Sequence, residues 1–215
     1  LGPGDVFSFN DVVGPRTSSR GYLSANVYIS GKIVPDVGGG ICQVSSTLYN
    51  SVIFSGLETV YRMNHMFTVG YVPYGQDAAV SYNELDFKFK NNTNWPIRID
   101  AYATSNNVRF DIVGTNETPE KKIEIVNVQI SSTPAPVSYV DDPNADEGTS
   151  VVIQSGKPGY VYDTYKVTKI NGVETERTLL HRSRYNPYQH IVRRGTRPVE
   201  GPKSDINVQS ETSDN

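Results

Sequence analysis

A lone thiol behind three glycines is the group best placed to do chemistry in this 215-residue chain. Cys42 follows Gly38-Gly39-Gly40, and from Ile41 onward Val44, Leu48, Val52 and Ile53 recur at three- and four-residue spacing until Gly56, which predicts a helix over about 41–55. At a helix N-terminus, unpaired N–H groups and the positive end of the helix dipole gather around a thiol and favour the thiolate, its nucleophilic form. The same amides are placed to hold the oxyanion of a tetrahedral intermediate. The chemistry this predicts is acyl transfer through a thioester.

A thiolate nucleophile needs a base, and His65 is the histidine that the first half of the chain supplies, at the start of an expected strand Phe67-Thr68-Val69. The third group, which would orient the imidazole, is Asp77 ahead of Asn64 and Asp86. The residues alone leave a second reading open. In it Cys42 is a small buried hydrophobe packed with Val44 and Leu48, and His65 is a surface residue with an ordinary hydrogen bond.

The elements that would position these groups are mostly short and β-like. Gly2-Pro3-Gly4-Asp5, Gly14-Pro15, Gly21 and Gly31 punctuate residues 1–37 around Val6–Phe9 and Ala25–Ile29. Alternation returns in Thr59–Tyr61, Leu85–Lys90, Pro96–Tyr102 and Val108–Val113, and the polar run Gly114–Lys122 reads as a junction. Beyond it only strands are expected: Val151–Ile153, Tyr160–Tyr162 and Thr164–Thr168, with Asn171-Gly172 as a hairpin turn. The expected fold is therefore an α+β N-terminal domain, short strands around one main helix carrying Cys42, followed by an elongated all-β domain. The boundaries expected are 1–117, 121–197 and a linker or disordered tail at 198–215.

Composition narrows the partners. With 20 basic against 23 acidic residues and no basic cluster longer than Arg193-Arg194, a nucleic-acid partner is not expected. One cysteine excludes an internal disulfide framework, and three scattered histidines without a second thiol argue against structural zinc. No metal or cofactor is expected. No apolar run approaches the ~20 residues of a membrane span, and the start at Leu1 reads as a fragment, so membrane contact is expected only through an anchor outside it.

Residues 1–114 resemble the VanW family. The resemblance is carried by Pro3–Asn10, Val13–Thr17 and Gly38–Asn50, and further by Tyr71–Val80 and Leu85–Thr93; His65-Met66 stands where relatives often have His-Ser. It implies an extracellular, Gram-positive cell-wall protein with L,D-transpeptidase activity, in which Cys42 is acylated by a donor stem peptide, His65 is the base and an amine acceptor completes a 3-3 cross-link. Water as acceptor would make it a carboxypeptidase. Gly39, Gly40, Gln43, Ser45 and Tyr71 are then the candidate substrate- and oxyanion-binding residues. Residues 121–197 resemble the five-glycine (G5) domain through Gln154–Gly159 and Val192–Thr196, which implies binding to wall glycan or adhesion.

Overall fold

The computed structural model describes residues 1–29 and 32–199. The expected tail at 198–215 thus lies almost wholly outside the described residues. In chain order the elements are β1 (Val6–Ser8), α1 (Phe9–Val13), a single 3-10 turn (Ser18–Arg20), β2 (Ser24–Ile29), β3 (Lys32–Val37), α2 (Ile41–Phe54), β4 (Glu58–Tyr61), β5 (Lys88–Lys90), β6 (Arg98–Ala103), β7 (Val108–Val113), β8 (Lys121–Thr133), β9 (Val137–Asp146), β10 (Ser150–Gln154), β11 (Gly159–Ile170), β12 (Val173–Tyr185) and β13 (His190–Arg197).

They form two compact units, Leu1–Ala135 with Lys157–Tyr188, and Pro136–Gly156 with Gln189–Asn215. In the first, β1, β5 and β4 make an antiparallel sheet in the order β1-β5-β4, β2–β3 and β6–β7 are hairpins, and β8, β11 and β12 make a long antiparallel sheet in the order β12-β11-β8. In the second, β13 lies between β10, antiparallel to it, and β9, parallel to it.

The helix α2 forms where the periodicity places it, and its inward stripe of Leu48, Tyr49, Val52 and Ile53 is buried. These side chains meet Phe9, Leu57, Ala78, Val80, Phe87, Phe89 and Ile97 in one apolar core, with the Tyr49 and Phe87 rings edge to face at 5.4 Å. Ile125 of β8 and Leu180 of β12 pack against the same core.

That packing corrects the expected fold class. The chain is mostly β, with thirteen strands against two α-helices among the described residues, and it is not an α+β domain centred on a helix. A single helix buries only one stripe. The cover it needs comes partly from the C-terminal sheet, whose strands β8, β11 and β12 hold 12–13 residues each. In the C-terminal half the regular elements among the described residues are all strands, as expected.

Two local expectations also change. Val6–Phe9 is not one strand, because Ser8 caps α1 by accepting from the Asp11 amide and Phe9 begins that helix. Phe67-Thr68-Val69 forms no strand, so His65 sits in an irregular segment. Backbone groups there find other partners: the Ala79 amide donates to the Met63 carbonyl, and the Asn186 amide to the Met66 carbonyl.

Candidate functional site

The turn before α2 fixes where the thiol lies. Gly40 is the N-cap of α2 with φ 91°, a left-handed conformation that glycine adopts without strain, and no side chain caps this end. Gly39 is packed against β2: a Cβ there would stand 2.7 Å from the Ala25 Cβ and 2.8 Å from its backbone. Gly39→Ala is therefore expected to destabilise the protein by about 1–3 kcal/mol by forcing these backbones apart, read as a lowered thermal midpoint with a disturbed thiol reactivity.

Cys42 sits half-buried in the first turn of α2, its Sγ 3.5 Å from the Val80 carbonyl oxygen. The His65 imidazole stands against this sulfur and acts on it by hydrogen bonding and charge. On the other side of the ring, Nδ1–H donates to Asp77 Oδ2 at 2.6 Å, and the His65 backbone amide donates to the same oxygen at 2.6 Å. Asp77 is completely buried. Its other oxygen, Oδ1, accepts from Arg62 Nη2 at 2.9 Å and from the Tyr185 hydroxyl at 2.5 Å. The Arg62 Nε also donates to the Asp77 backbone carbonyl, and the side chains of both residues are almost wholly out of water.

The electrostatics follow from this arrangement. Burial works against the Asp77 charge, but the His65 hydrogen bonds, the Arg62 guanidinium and the Tyr185 hydroxyl outweigh it and hold the carboxyl at about 2. Burial likewise works against a charged imidazole, yet Asp77 on one side and the Cys42 sulfur on the other push His65 up to about 9. Burial would raise the Cys42 thiol; the His65 hydrogen bond and the nearby charges of His65 and Arg16 win, and its pKa is lowered. A depressed thiol beside a raised imidazole is the signature of a thiolate–imidazolium pair, which titrates as a unit.

The other sequence candidates divide. Tyr71 is at the site, its hydroxyl 3.2 Å from His65 Nε2 and its ring edge-on to the imidazole. The Ser45 hydroxyl is turned into the core, donating to the carbonyls of Ala78 at 2.6 Å and Cys42 at 3.1 Å. Gln43 has an exposed side chain, and its amide donates to the Gly40 carbonyl at 3.0 Å. Gln43, Gly40 and Val44 line a groove of about 480 Å³ against Ala101–Asn107, Val108 and Phe110. Of the alternatives to Asp77, Asp86 accepts from Ser8 Oγ and the Asn10 amide at the start of α1, and Asn64 donates to the carbonyls of His65 and Arg184.

Arg16, Arg62 and Tyr185 were not read from the sequence as site residues. Arg16 lies within Val13–Thr17, one of the stretches behind the family resemblance; its Nη2 donates to Asn10 Oδ1 at 2.7 Å and its guanidinium stacks over Phe9 and Tyr82. Among the described residues no group of three or more His, Cys, Asp or Glu side chains is placed to hold a metal ion, and no helix is long and apolar enough to cross a membrane.

The model of VanW-like proteins matches residues 1–113, more than half of the chain. The chain belongs to the VanW-like family. The model of the G5 domain matches residues 124–197, a stretch whose strands are shared between the two units. Together the two matches describe a cell-wall-associated protein. Among curated relatives, the chain is 52% identical to the uncharacterized protein YoaR of Bacillus subtilis over 99 residues, covering 46% of this chain and 33% of that protein. It is 28% identical to the vancomycin B-type resistance protein VanW of Enterococcus faecalis over 102 residues, covering 45% of this chain and 37% of that protein. The chain thus spans about a third of the length of these relatives. A solved structure of the IgA1 protease G5 domain is 23% identical, with a TM-score of 0.26, covering 38% of this chain and 99% of its own.

Proposed function

We propose that this VanW-like protein uses Cys42 as an acyl-transfer nucleophile on peptidoglycan stem peptides, forming 3-3 cross-links as an L,D-transpeptidase, with its G5-matched residues engaging wall glycan. The observation that carries the reading is the line from Cys42 through His65 to a buried, fully hydrogen-bonded Asp77. In this reaction the thiolate attacks the carbonyl carbon of the donor peptide bond. The tetrahedral intermediate collapses with cleavage of the C–N bond, and the leaving D-amino acid takes its proton from the His65 imidazolium. An acceptor amine then attacks the thioester, His65 removes its proton, and the Cys42 thiolate is released. At the start of α2 the Ile41 and Gln43 amides already donate to the Gly38 and Gly40 carbonyls, so this reading assigns the carbonyl oxygen to the Cys42 amide and the Tyr71 hydroxyl.

The G5 match supports a second reading, a non-catalytic wall-binding or adhesion protein that holds glycan. Intact-mass spectrometry separates the two after incubation with a carbapenem and with a tetrapeptide-stem muropeptide. The expected result is an adduct on Cys42 and a cross-linked dimer from the muropeptide. Adduct with release of free acid alone identifies a hydrolase, and a folded but unreactive protein that retains glycan binding establishes the second reading.

A further inference from the structure

The face of β12 that meets the thiol site is built from alternate residues. His181, Ser183 and Tyr185 lie at two-residue spacing and so point to one side of the strand. His181 and Tyr185 bond the segment around Asp77 directly, and Ser183 reaches it through Arg62. His181 Nε2–H donates to the Gly75 carbonyl at 2.8 Å, while its Nδ1 faces the Tyr49 hydroxyl at 3.2 Å. Ser183 Oγ accepts from Arg62 Nη1 at 2.9 Å. The Tyr185 hydroxyl accepts from the Gly75 amide at 2.7 Å and donates to Asp77 Oδ1 at 2.5 Å. The Asn64 side-chain amide donates to the Arg184 carbonyl and the Asn186 backbone amide to the Met66 carbonyl, which ties the segment on either side of His65 to the same strand end. All of these residues belong to one compact unit, yet residues 181–186 lie within the G5 match and not the VanW match.

We infer that Tyr185 is a positioning residue for the thiol site: its hydroxyl fixes the Asp77 carboxylate in the plane that orients His65 against Cys42, so that the G5-matched sheet is a working part of that site. This rests on the reading of Cys42 as nucleophile. The carboxylate has four donors, two on each oxygen. The two His65 groups both bond Oδ2, and Arg62 reaches Oδ1 while held by the Asp77 and Gly75 carbonyls and by Ser183. The Tyr185 hydroxyl, held in turn by the Gly75 amide two residues before Asp77, is the donor that the G5-matched strand itself brings to Oδ1, and it fixes the carboxylate angle from that side. The ring itself is buried against Tyr74, with centroids 6.0 Å apart, and has no freedom to follow. The charged and titratable groups facing this chain of contacts are Asp77, Cys42, Arg62, His65, Tyr71, His181 and Arg16, and Tyr185→Phe leaves every one of those side chains present while removing one phenolic oxygen.

The test is the pH profile of Cys42 alkylation by iodoacetamide, followed by mass, in the full chain carrying Tyr185→Phe. Tyr162→Phe is the control, since its hydroxyl in the same aromatic cluster bonds only Gln129 among the described residues and does not bond Asp77. Tyr185→Phe is expected to move the midpoint of the profile toward that of an ordinary thiol and to slow alkylation near neutral pH on the order of tenfold, the worth of one hydrogen bond to a charged group. Tyr162→Phe should follow wild type. A Tyr185→Phe profile superimposed on wild type overturns the positioning role. Should that variant fail to fold, Tyr185→4-fluorophenylalanine keeps the volume of the buried ring and removes the same donor, and an unmoved profile there overturns the role equally. Alkylation needs no stem peptide, so this result is independent of the muropeptide assay: a wild type inert toward muropeptides sinks the acyl-transfer reading and leaves the profile standing.

Discussion

Cys42→Ala is expected to abolish both the carbapenem adduct and the muropeptide cross-link while the protein stays folded. No other cysteine exists in the chain to take over, so the residual rate should fall to that of the uncatalysed reaction. The cost to stability is small, because Cys42 lies at the edge of the core and loses only a sulfur: about 1 kcal/mol, or roughly a 3 °C drop in melting midpoint for a chain of this size. The contrast with Cys42→Ser sharpens the result. A serine hydroxyl beside the same imidazole is not ionised by it, so acyl transfer should fall nearly as far as in the alanine variant. A non-catalytic glycan-binding protein has no reason to distinguish serine from cysteine at this position. Retention of cross-linking by Cys42→Ala would remove the nucleophile assignment outright.

Much of what places that thiol is local and was legible in the sequence. The helix of Ile41–Phe54 follows from apolar spacing, the turn before it from three glycines, and the choice of Asp77 over Asn64 and Asp86 puts the carboxylate where the imidazole is found. What was not legible is long-range. Arg62 meets Asp77 from 15 residues away and Tyr185 meets it from 108 away, and neither periodicity nor spacing records such a pairing. Alternation shows that Ser183 and Tyr185 share a face, but not what the face meets. The fold class was misjudged for the same reason. Reading each half by itself makes α2 the centre of the first domain, whereas Ile125 and Leu180 close its core from strands far along the chain. The missing strand at Phe67–Val69 is a related case: its β-branched and aromatic residues suit a strand, but the backbone just before it is tied elsewhere, the His65 amide to Asp77 and the Met66 carbonyl to Asn186.

Asp77→Asn carries the second large effect, on activity and stability together. The amide keeps the shape of the carboxylate but not its charge, and its NH2 group can only donate where Asp77 accepts. Arg62, 4% exposed at its side chain, is left with carbonyls and a hydroxyl as partners and no counter-charge. Breaking a buried pair from one side costs about 3–5 kcal/mol. His65 loses the acceptor that fixes its Nδ1 proton, and acyl transfer should fall on the order of 10⁴-fold, as when a triad imidazole loses its orienting carboxylate. The dependence of stability on pH identifies the cause. Asp77 is held at about 2 against an ordinary 3.8, so its contribution is present above pH 3.8 and is lost as pH falls through about 2. His65 is held at about 9 against an ordinary 6.5, so its contribution is complete below pH 6.5 and is lost as pH rises through about 9. Wild type should therefore melt highest on a plateau between about pH 4 and 6.5 and decline on both sides. In Asp77→Asn the acid decline from this residue disappears, and the alkaline decline moves down toward the ordinary histidine range. Melting curves that run parallel for the two proteins across the whole range would mean that the buried carboxylate does not hold the charge on His65.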